Sequence, residues 1–299
     1  MRILVLGADG MLGHKMVRDS STYFDIFATF RGSRDSWASQ PPFCHLAHDH
    51  AHDGIDAYNV NNISRVIAEV QPQVVLNCIG IVKQREEAKA AIPSISINAM
   101  FPHQLADICQ TQAARLIHIS TDCVFSGNRG QYTEDDKPDP VDIYGQTKLL
   151  GELNRPGCLT LRTSIIGWEL KHRIGLLEWF AAQRGRSIKG YRRAIYTGVS
   201  TNVLTKLIGD LVEKRPDMSG LYQVASQPIN KYDLLVRLRD RLDWHDIVIE
   251  PDDVFQCDRS LVGARFEAAT GWLPPNWDEM ITGLAAEWFD YQKWRNATK

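Results

Sequence analysis

Tyr144 and Lys148 stand four residues apart in Tyr144-Gly-Gln-Thr-Lys148, the spacing that puts two side chains on one face of a helix. An ammonium beside a phenol favours the phenolate, drawing a group that starts at about 10 toward a range useful for moving a proton. The chemistry implied is proton transfer to or from an oxygen. Upstream, Leu116-Ile-His-Ile-Ser-Thr-Asp-Cys-Val-Phe125 runs from an apolar strand into polar residues. Its carboxyl end is the edge where ligands bind in open α/β sheets, so the Thr121 hydroxyl is expected at the same oxygen as Tyr144.

A second chemistry lies at the start of the chain. Gly7-Ala-Asp-Gly10-Met-Leu-Gly13 sits between an apolar strand and a helix, where a pyrophosphate can rest on backbone N–H groups at the positive end of the helix dipole. Gly7 permits the tight turn, Gly10 lets phosphates approach beside Met11 and Leu12, and Gly13 lets helix and strand pack closely. The alternative is an ordinary glycine turn. About 20 residues on, where an acidic residue would bind a free ribose 2′-hydroxyl, the chain has Arg31-Gly-Ser-Arg34. A guanidinium there favours a 2′-phosphate, hence NADPH over NADH, with a solvated Arg31 as the alternative. Asp56 and Ala57 are placed to bracket an adenine. Cys78, Ile79 and Gly80 end a strand where a nicotinamide ribose would lie.

These residues need a scaffold of alternating strands and helices. Apolar runs at 3–6, 25–30, 74–76, 116–119 and 159–161 read as strands, and residues 11–19, 62–70, 102–113 and 143–153 as helices. Short buried strands separated by amphipathic helices predict a Rossmann-type, doubly wound parallel α/β sheet. Beyond about residue 165 the alternation loosens and tryptophans become frequent, which predicts a smaller, interleaved α/β substrate lobe. The expected division is 1–165, joined by 200–218, for the dinucleotide, and 166–299 for the substrate lobe and C-terminal helices. Residues 277–294 read as one amphipathic helix packed on the body.

The 299 residues carry 34 basic and 36 acidic side chains, a net charge of -2, and 44% hydrophobic residues. That balance, without a long basic block, speaks against nucleic-acid binding. No apolar stretch is long enough to span a membrane. Gly7 interrupts the opening apolar run too soon for a signal peptide. The six cysteines are scattered with no C-x-x-C pair, as in a reduced intracellular enzyme, so cytoplasm is the expectation.

Taken together, Gly7 to Gly13, Pro72-Gln-Val-Val-Leu-Asn77, Asn98-Ala99, Ser120-Thr-Asp-Cys-Val-Phe-Ser-Gly127, Tyr144 to Lys148 and Leu161-Arg-Thr-Ser164 resemble the extended short-chain dehydrogenase/reductase family. Within it they are similar to the dTDP-4-dehydrorhamnose reductase branch. The resemblance covers residues 1 to about 165. It implies Thr121, Tyr144 and Lys148 as catalytic residues, and Thr163 and Ser164 at the opening of the substrate pocket. It further implies NAD(P)H-dependent reduction of the 4-keto group of a nucleotide-linked 6-deoxy sugar, a step in making surface polysaccharide precursors. A nucleotide sugar is then the partner, and a homodimer is one oligomeric state left open.

The chain departs from the branch in two places. Cys123 stands where the branch commonly has Tyr. Related epimerase-reductases have a Cys there and a His on the opposite face, and His172 precedes a similar apolar helix at 174–180. Coupled epimerisation by Cys123 and His172 is therefore one alternative, which solvent deuterium in the product skeleton would reveal; a space-filling cysteine and a solvated histidine is the other. Gly190 to Thr201 replaces an Asp-Gln-x-Gly-x-Pro-Thr stretch, with Arg192 and Arg193 placed to clamp a diphosphate or to be solvated. The acidic residues that bridge a metal between subunits in some relatives have no counterpart. The histidines of residues 45–52 suggest a metal by composition, but their spacing favours a solvated loop and no metal is expected. Because one relative of the branch is the regulatory partner of methionine adenosyltransferase, a non-catalytic NADP-binding subunit is a further alternative. The intact Thr121, Tyr144 and Lys148 set favours an enzyme.

Overall fold

Strand-forming Ile, Val and Leu runs, each stopped by a glycine or polar residue, produce the alternation in a computed structural model that describes residues 1–297, with side chains through Arg295. The chain enters with β1 (Arg2–Leu6), α1 (Gly13–Ser20), β2 (Asp25–Thr29) and β3 (Ala51–His52). It continues through α2 (Val60–Val70), β4 (Val74–Asn77), α3 (Ala91–Ser94), α4 (Phe101–Thr111), β5 (Arg115–Thr121), α5 (Ile143–Leu150) and β6 (Cys158–Thr163). The later part holds β7 (Ile165–Ile166), α6 (Leu176–Ala181), β8 (Ser187–Tyr196), β9 (Val199–Ser200), α7 (Thr201–Lys214), β10 (Gly220–Gln223) and β11 (Ile229–Asn230). It ends with α8 (Lys231–Leu242), β12 (Val248–Asp258), α9 (Ala264–Thr270), α10 (Trp277–Ala286) and α11 (Trp288–Ala297).

Seven strands form one sheet in the order β10-β6-β5-β4-β1-β2-β3, and every pairing in it is parallel. Ile3, Leu4, Val5 and Leu6 of β1 are fully buried, because a central parallel strand is covered on both faces. The chain leaves β1 toward β2 and β3, then returns on the other side as β4, so the switch point lies between β1 and β4. Ligands in such sheets sit in the crevice beyond the strand ends at this point. Here the glycine turn follows β1 and Asn77 to Gly80 follow β4. The second half of the chain contributes α7, which packs on α1, and β10, the sheet's far edge. A separate sheet, β11-β8-β12, stands beside the carboxyl ends.

Three local features differ from the sequence expectation. Residues 91–111 form one helical stretch with a π-helical turn at Ile95–Met100 in its middle, a distortion frequent at functional sites. The expected helix over 277–294 breaks between α10 and α11, where Glu287 turns to ion-pair with Lys15 at 2.5 Å and with Arg18. The histidine-containing loop is not wholly solvated, since Ala51 and His52 pair with β2 as the sheet's edge and His50 stacks on Phe27. Among the described residues, no three His, Cys, Asp or Glu side chains converge as a metal site would require. No helix among them is long and apolar enough to cross a membrane.

Candidate active site

A cavity of about 350 Å³ opens where the ends of β1, β4, β5 and β6 meet the β8 and α8 region. Its first wall is the glycine turn. Gly7 takes φ +75°, the left-handed region that favours glycine, and Gly10 N–H closes the turn on Gly7 O at 3.1 Å. Gly13 lies so close to the strand end that a Cβ there would fall 2.2 Å from Gly7 O. Ala8 N–H donates to Thr29 O at 2.9 Å and Gly7 N–H to the Thr29 hydroxyl at 3.2 Å, anchoring the turn to β2. Among the described residues the Met11 and Leu12 amides have no acceptor. Orphan N–H groups at a helix start beside bare glycines fit a pyrophosphate.

The second wall is β5 and α5. Asp142 caps α5, accepting from Gly145 N–H at 2.8 Å and pairing with Lys83 at 2.7 Å. Tyr144 and Lys148 both face the cavity, and Thr121 ends β5 beside them. The Thr121 hydroxyl donates to Asp122 Oδ1 at 3.2 Å and accepts from Cys123 N–H at 3.1 Å. Lys148 Nζ donates to Ile119 O at 2.7 Å.

Burial decides the electrostatics. It draws the Lys148 ammonium down to about 8, with Glu152 opposing. It pushes the Tyr144 phenol upward, helped by Cys123, while Thr121 opposes part of the rise. The expected lowering of the phenol by Lys148 is therefore corrected: the ammonium is committed to a main-chain carbonyl, and loss of water outweighs it. Burial and the adjacent Asp122 likewise push the Cys123 thiol up to about 12, and burial pushes that of Cys78 to about 12.

The same cavity gathers Gly10, Met11, Leu12, Cys78, Ile79, Gly80, Cys123, Thr163, Ser164 and His172, all singled out in the sequence. His172 is exposed at the rim, and burial, then Arg85, lowers its pKa. Arg31 lies outside the lining, at the end of β2, largely exposed and 3.4 Å from Asp56. Ala57 is buried nearby. Arg192 and Arg193 lie on β8, outside the cavity lining. They engage Asp253 at 3.6 Å and Gln256, respectively.

Several lining residues carried no local sequence signal. Lys171 reaches over from the loop after β7 to pair with Asp9 of the glycine turn at 2.8 Å. Tyr196 and Lys231 come from β8 and α8. Behind the lining, Asn98 in the π-turn holds the lining residue Ile81 at both main-chain groups, accepting from its N–H at 2.9 Å and donating to its C=O at 3.0 Å. The Asn98-Ala99 pair was visible in the sequence, but its partner was not.

The parallel sheet with its glycine turn and a Tyr–Lys helix beside β5 is the arrangement implied by the resemblance to the extended short-chain dehydrogenase/reductase family. Residues 1–175 match the RmlD substrate binding domain, and the chain belongs to that family. It is 25% identical over 311 residues to a probable low-salt glycan biosynthesis reductase, Agl14, of Haloferax volcanii, covering 97% of this chain and 99% of that one. It is 28% identical over 178 residues to methionine adenosyltransferase 2 subunit beta of Mus musculus, covering 57% and 48%. Over 152 residues it is 30% identical to dTDP-4-keto-6-deoxy-D-glucose reductase of Streptomyces niveus, covering 50% and 46%. The chain thus spans about half the length of the mouse and Streptomyces relatives. Its fold is similar to that of dTDP-4-dehydrorhamnose reductase from Bacillus anthracis in complex with NADP, with a TM-score of 0.78 at 20% identity over 96% of this chain and 99% of that one.

Proposed function

We propose that this chain reduces the 4-keto group of a nucleotide-linked 6-deoxy sugar, using NADPH ahead of NADH. The observation that carries the reading is the meeting of Thr121, Tyr144 and Lys148 with Met11, Leu12 and Cys78 to Gly80 in one cavity at the sheet's switch point. The names of the Streptomyces reductase and of the NADP-bound Bacillus structure supply the substrate and cofactor classes. Residues 1–165 with 200–218 would hold the dinucleotide, and 166–299 the sugar nucleotide.

In this reading the glycine turn holds the pyrophosphate, Cys78 to Gly80 border the nicotinamide ribose, and Asp56 and Ala57 border the adenine. When bound, the reduced dinucleotide supplies the hydride. Tyr144, kept protonated at neutral pH by its raised pKa, donates its phenolic proton to the oxygen of the reduced carbonyl. Thr121 hydrogen-bonds that oxygen as charge builds on it. Lys148, its ammonium drawn down to about 8 by burial, stands one turn away and would offset charge left on the phenol once the proton has gone. Thr163 and Ser164 border the sugar.

The test is Tyr144→Phe, read by NADPH oxidation with a panel of nucleotide 4-keto sugars and by NADPH binding. Turnover should fall by roughly 100-fold or more with NADPH affinity within about twofold of wild type. Near-normal turnover overturns the reading, and a wild-type chain that binds NADPH but reduces no sugar favours the regulatory-subunit alternative.

A further inference from the structure

The lysine that opens α8 is in an unfavourable place for a purely structural residue. Lys231 occupies the first helical position after the Asn230 cap, whose side chain accepts from Asp233 N–H at 2.7 Å. A cation there faces the positive end of the helix dipole. It is also partly withdrawn from water, and burial draws its ammonium down to about 8 despite Asp122, Cys123 and Cys257 nearby. The two other lysines near the cavity mouth are satisfied by acids, Lys83 by Asp142 and Lys171 by Asp9. Lys231 makes no ion pair among the described residues. Asp122, the acid nearest in effect, is itself pushed upward by burial, toward its neutral form.

What holds Lys231 is an aromatic face. Its Nζ stands 3.8 Å from the centroid of the Tyr196 ring, within cation–π range. Tyr196 is 6% exposed, and Gly198 makes room for it: a Cβ at 198 would lie 2.1 Å from the Tyr196 hydroxyl and 2.4 Å from Ser164 O. Ser226 fixes this turn, donating to Gly198 O at 2.7 Å. A ring face occupies one side of the ammonium and leaves its remaining N–H donors for a ligand. Tyr196 and Lys231 line the same cavity as Thr121, Cys123 and Tyr144. Tyr196 belongs to the Gly190 to Thr201 stretch, whose sequence departs from the family pattern.

We propose that Lys231, seated on Tyr196, is a substrate-binding residue that takes a phosphoryl oxygen of the sugar nucleotide. This rests on the sugar-nucleotide reading above. A charge-assisted hydrogen bond in a partly dry site corresponds to roughly 10- to 100-fold in affinity.

The experiment is calorimetric binding of dTDP, dTDP-glucose and dTDP-glucuronate to wild type, Lys231→Met and Lys231→Arg, with NADPH binding as the check on folding. Weaker binding of all three ligands to Lys231→Met, largely restored by Lys231→Arg, supports a phosphoryl contact. Weaker binding of dTDP-glucuronate alone, with dTDP and dTDP-glucose unchanged, overturns it. Should Lys231→Met fail to fold, Lys231→Gln gives the same reading. Equal affinities for all three in wild type and variant overturn the proposal and leave the sugar-nucleotide reading intact. A wild-type chain that binds none of them, nor UDP- or GDP-linked sugars in their place, overturns both.

Discussion

Gly10→Ala and Gly13→Ala should separate two jobs of one turn. A Cβ at Gly13 would sit 2.2 Å from Gly7 O and 2.9 Å from Ala8 Cα, both main-chain atoms. The strand end that would have to yield is pinned by Ala8 N–H on Thr29 O and by Gly10 N–H on Gly7 O. Helix α1 must therefore move off the sheet by about 1 Å, and an overpacking loss of about 3 kcal/mol follows. For a chain of this size that is a fall of about 6 °C in Tm. Gly10 differs, because its Cβ would meet only Gly7 O at 3.3 Å and Cys78 O at 4.0 Å. Stability should stay within about 1 kcal/mol, but the methyl group stands in the cavity lining beside the Met11 and Leu12 amides. NADPH affinity should then drop by at least about tenfold. Thermal melts and tryptophan-fluorescence titration with NADPH read the two effects independently. If Gly13→Ala melts with wild type, the close approach has no energetic weight; if Gly10→Ala binds NADPH normally, the turn is not a phosphate cradle.

Acid should unfold the protein partly through His14, which is fully buried and drawn by burial from 6.5 down to about 3. The unfolded chain takes up a proton below about 6.5 and the folded one does not, so stability is present above that pH and lost as pH falls toward 3. The difference corresponds to about 5 kcal/mol at most; His14→Gln should flatten the slope of urea-derived stability against pH over this window, and parallel slopes would refute the assignment. Arg31, exposed at the end of β2, should favour a 2′-phosphate, so Arg31→Glu should lower kcat/KM for NADPH relative to NADH by roughly tenfold; an unchanged ratio would make Arg31 merely solvated.

What could be read from sequence was chemistry whose partners are neighbours in the chain. Gly7, Gly10 and Gly13 make one turn, Tyr144 and Lys148 make one helical turn, and Thr121 ends its own strand. The direction of the Tyr144 pKa was not legible, since spacing shows an ammonium nearby but not that both groups lose water. Lys231 and Tyr196 were hidden for a related reason. Their meeting depends on how β8, β11 and α8 pack, and α8 begins more than 80 residues after Tyr144. Arg192 and Arg193 could be read as a diphosphate clamp or as a solvated loop, because adjacent arginines alone do not show their partners. The segment is a strand, so neighbouring side chains alternate between faces, and each finds its own partner on β12.

The precision that the proposed hydride and proton transfer would require rests on close backbone approaches around α5. A Cβ on Gly145 would lie 2.2 Å from Cys123 O, and one on Gly151 would lie 2.0 Å from Asn98 O. Helix α5 is thus pressed at its start against the turn after Thr121 and at its end against the π-turn of the 91–111 helix. That π-turn in turn fixes Ile81 through Asn98, at the edge where Cys78 to Gly80 line the cavity. Any side chain at Gly145 would push Tyr144 away from Thr121, so the glycine inside the Tyr144 to Lys148 motif is as much a part of the geometry as the two groups that flank it. The far end of the chain joins the same frame: Tyr291 of α11 hydrogen-bonds His14 Nε2, whose Nδ1 reaches Gly10 O at 2.8 Å. With His14 neutral and donating from Nδ1 to that carbonyl, Nε2 is left to accept the Tyr291 hydroxyl. The glycine turn and α5 are therefore each held by residues remote in sequence, which brings two short local motifs to one cavity.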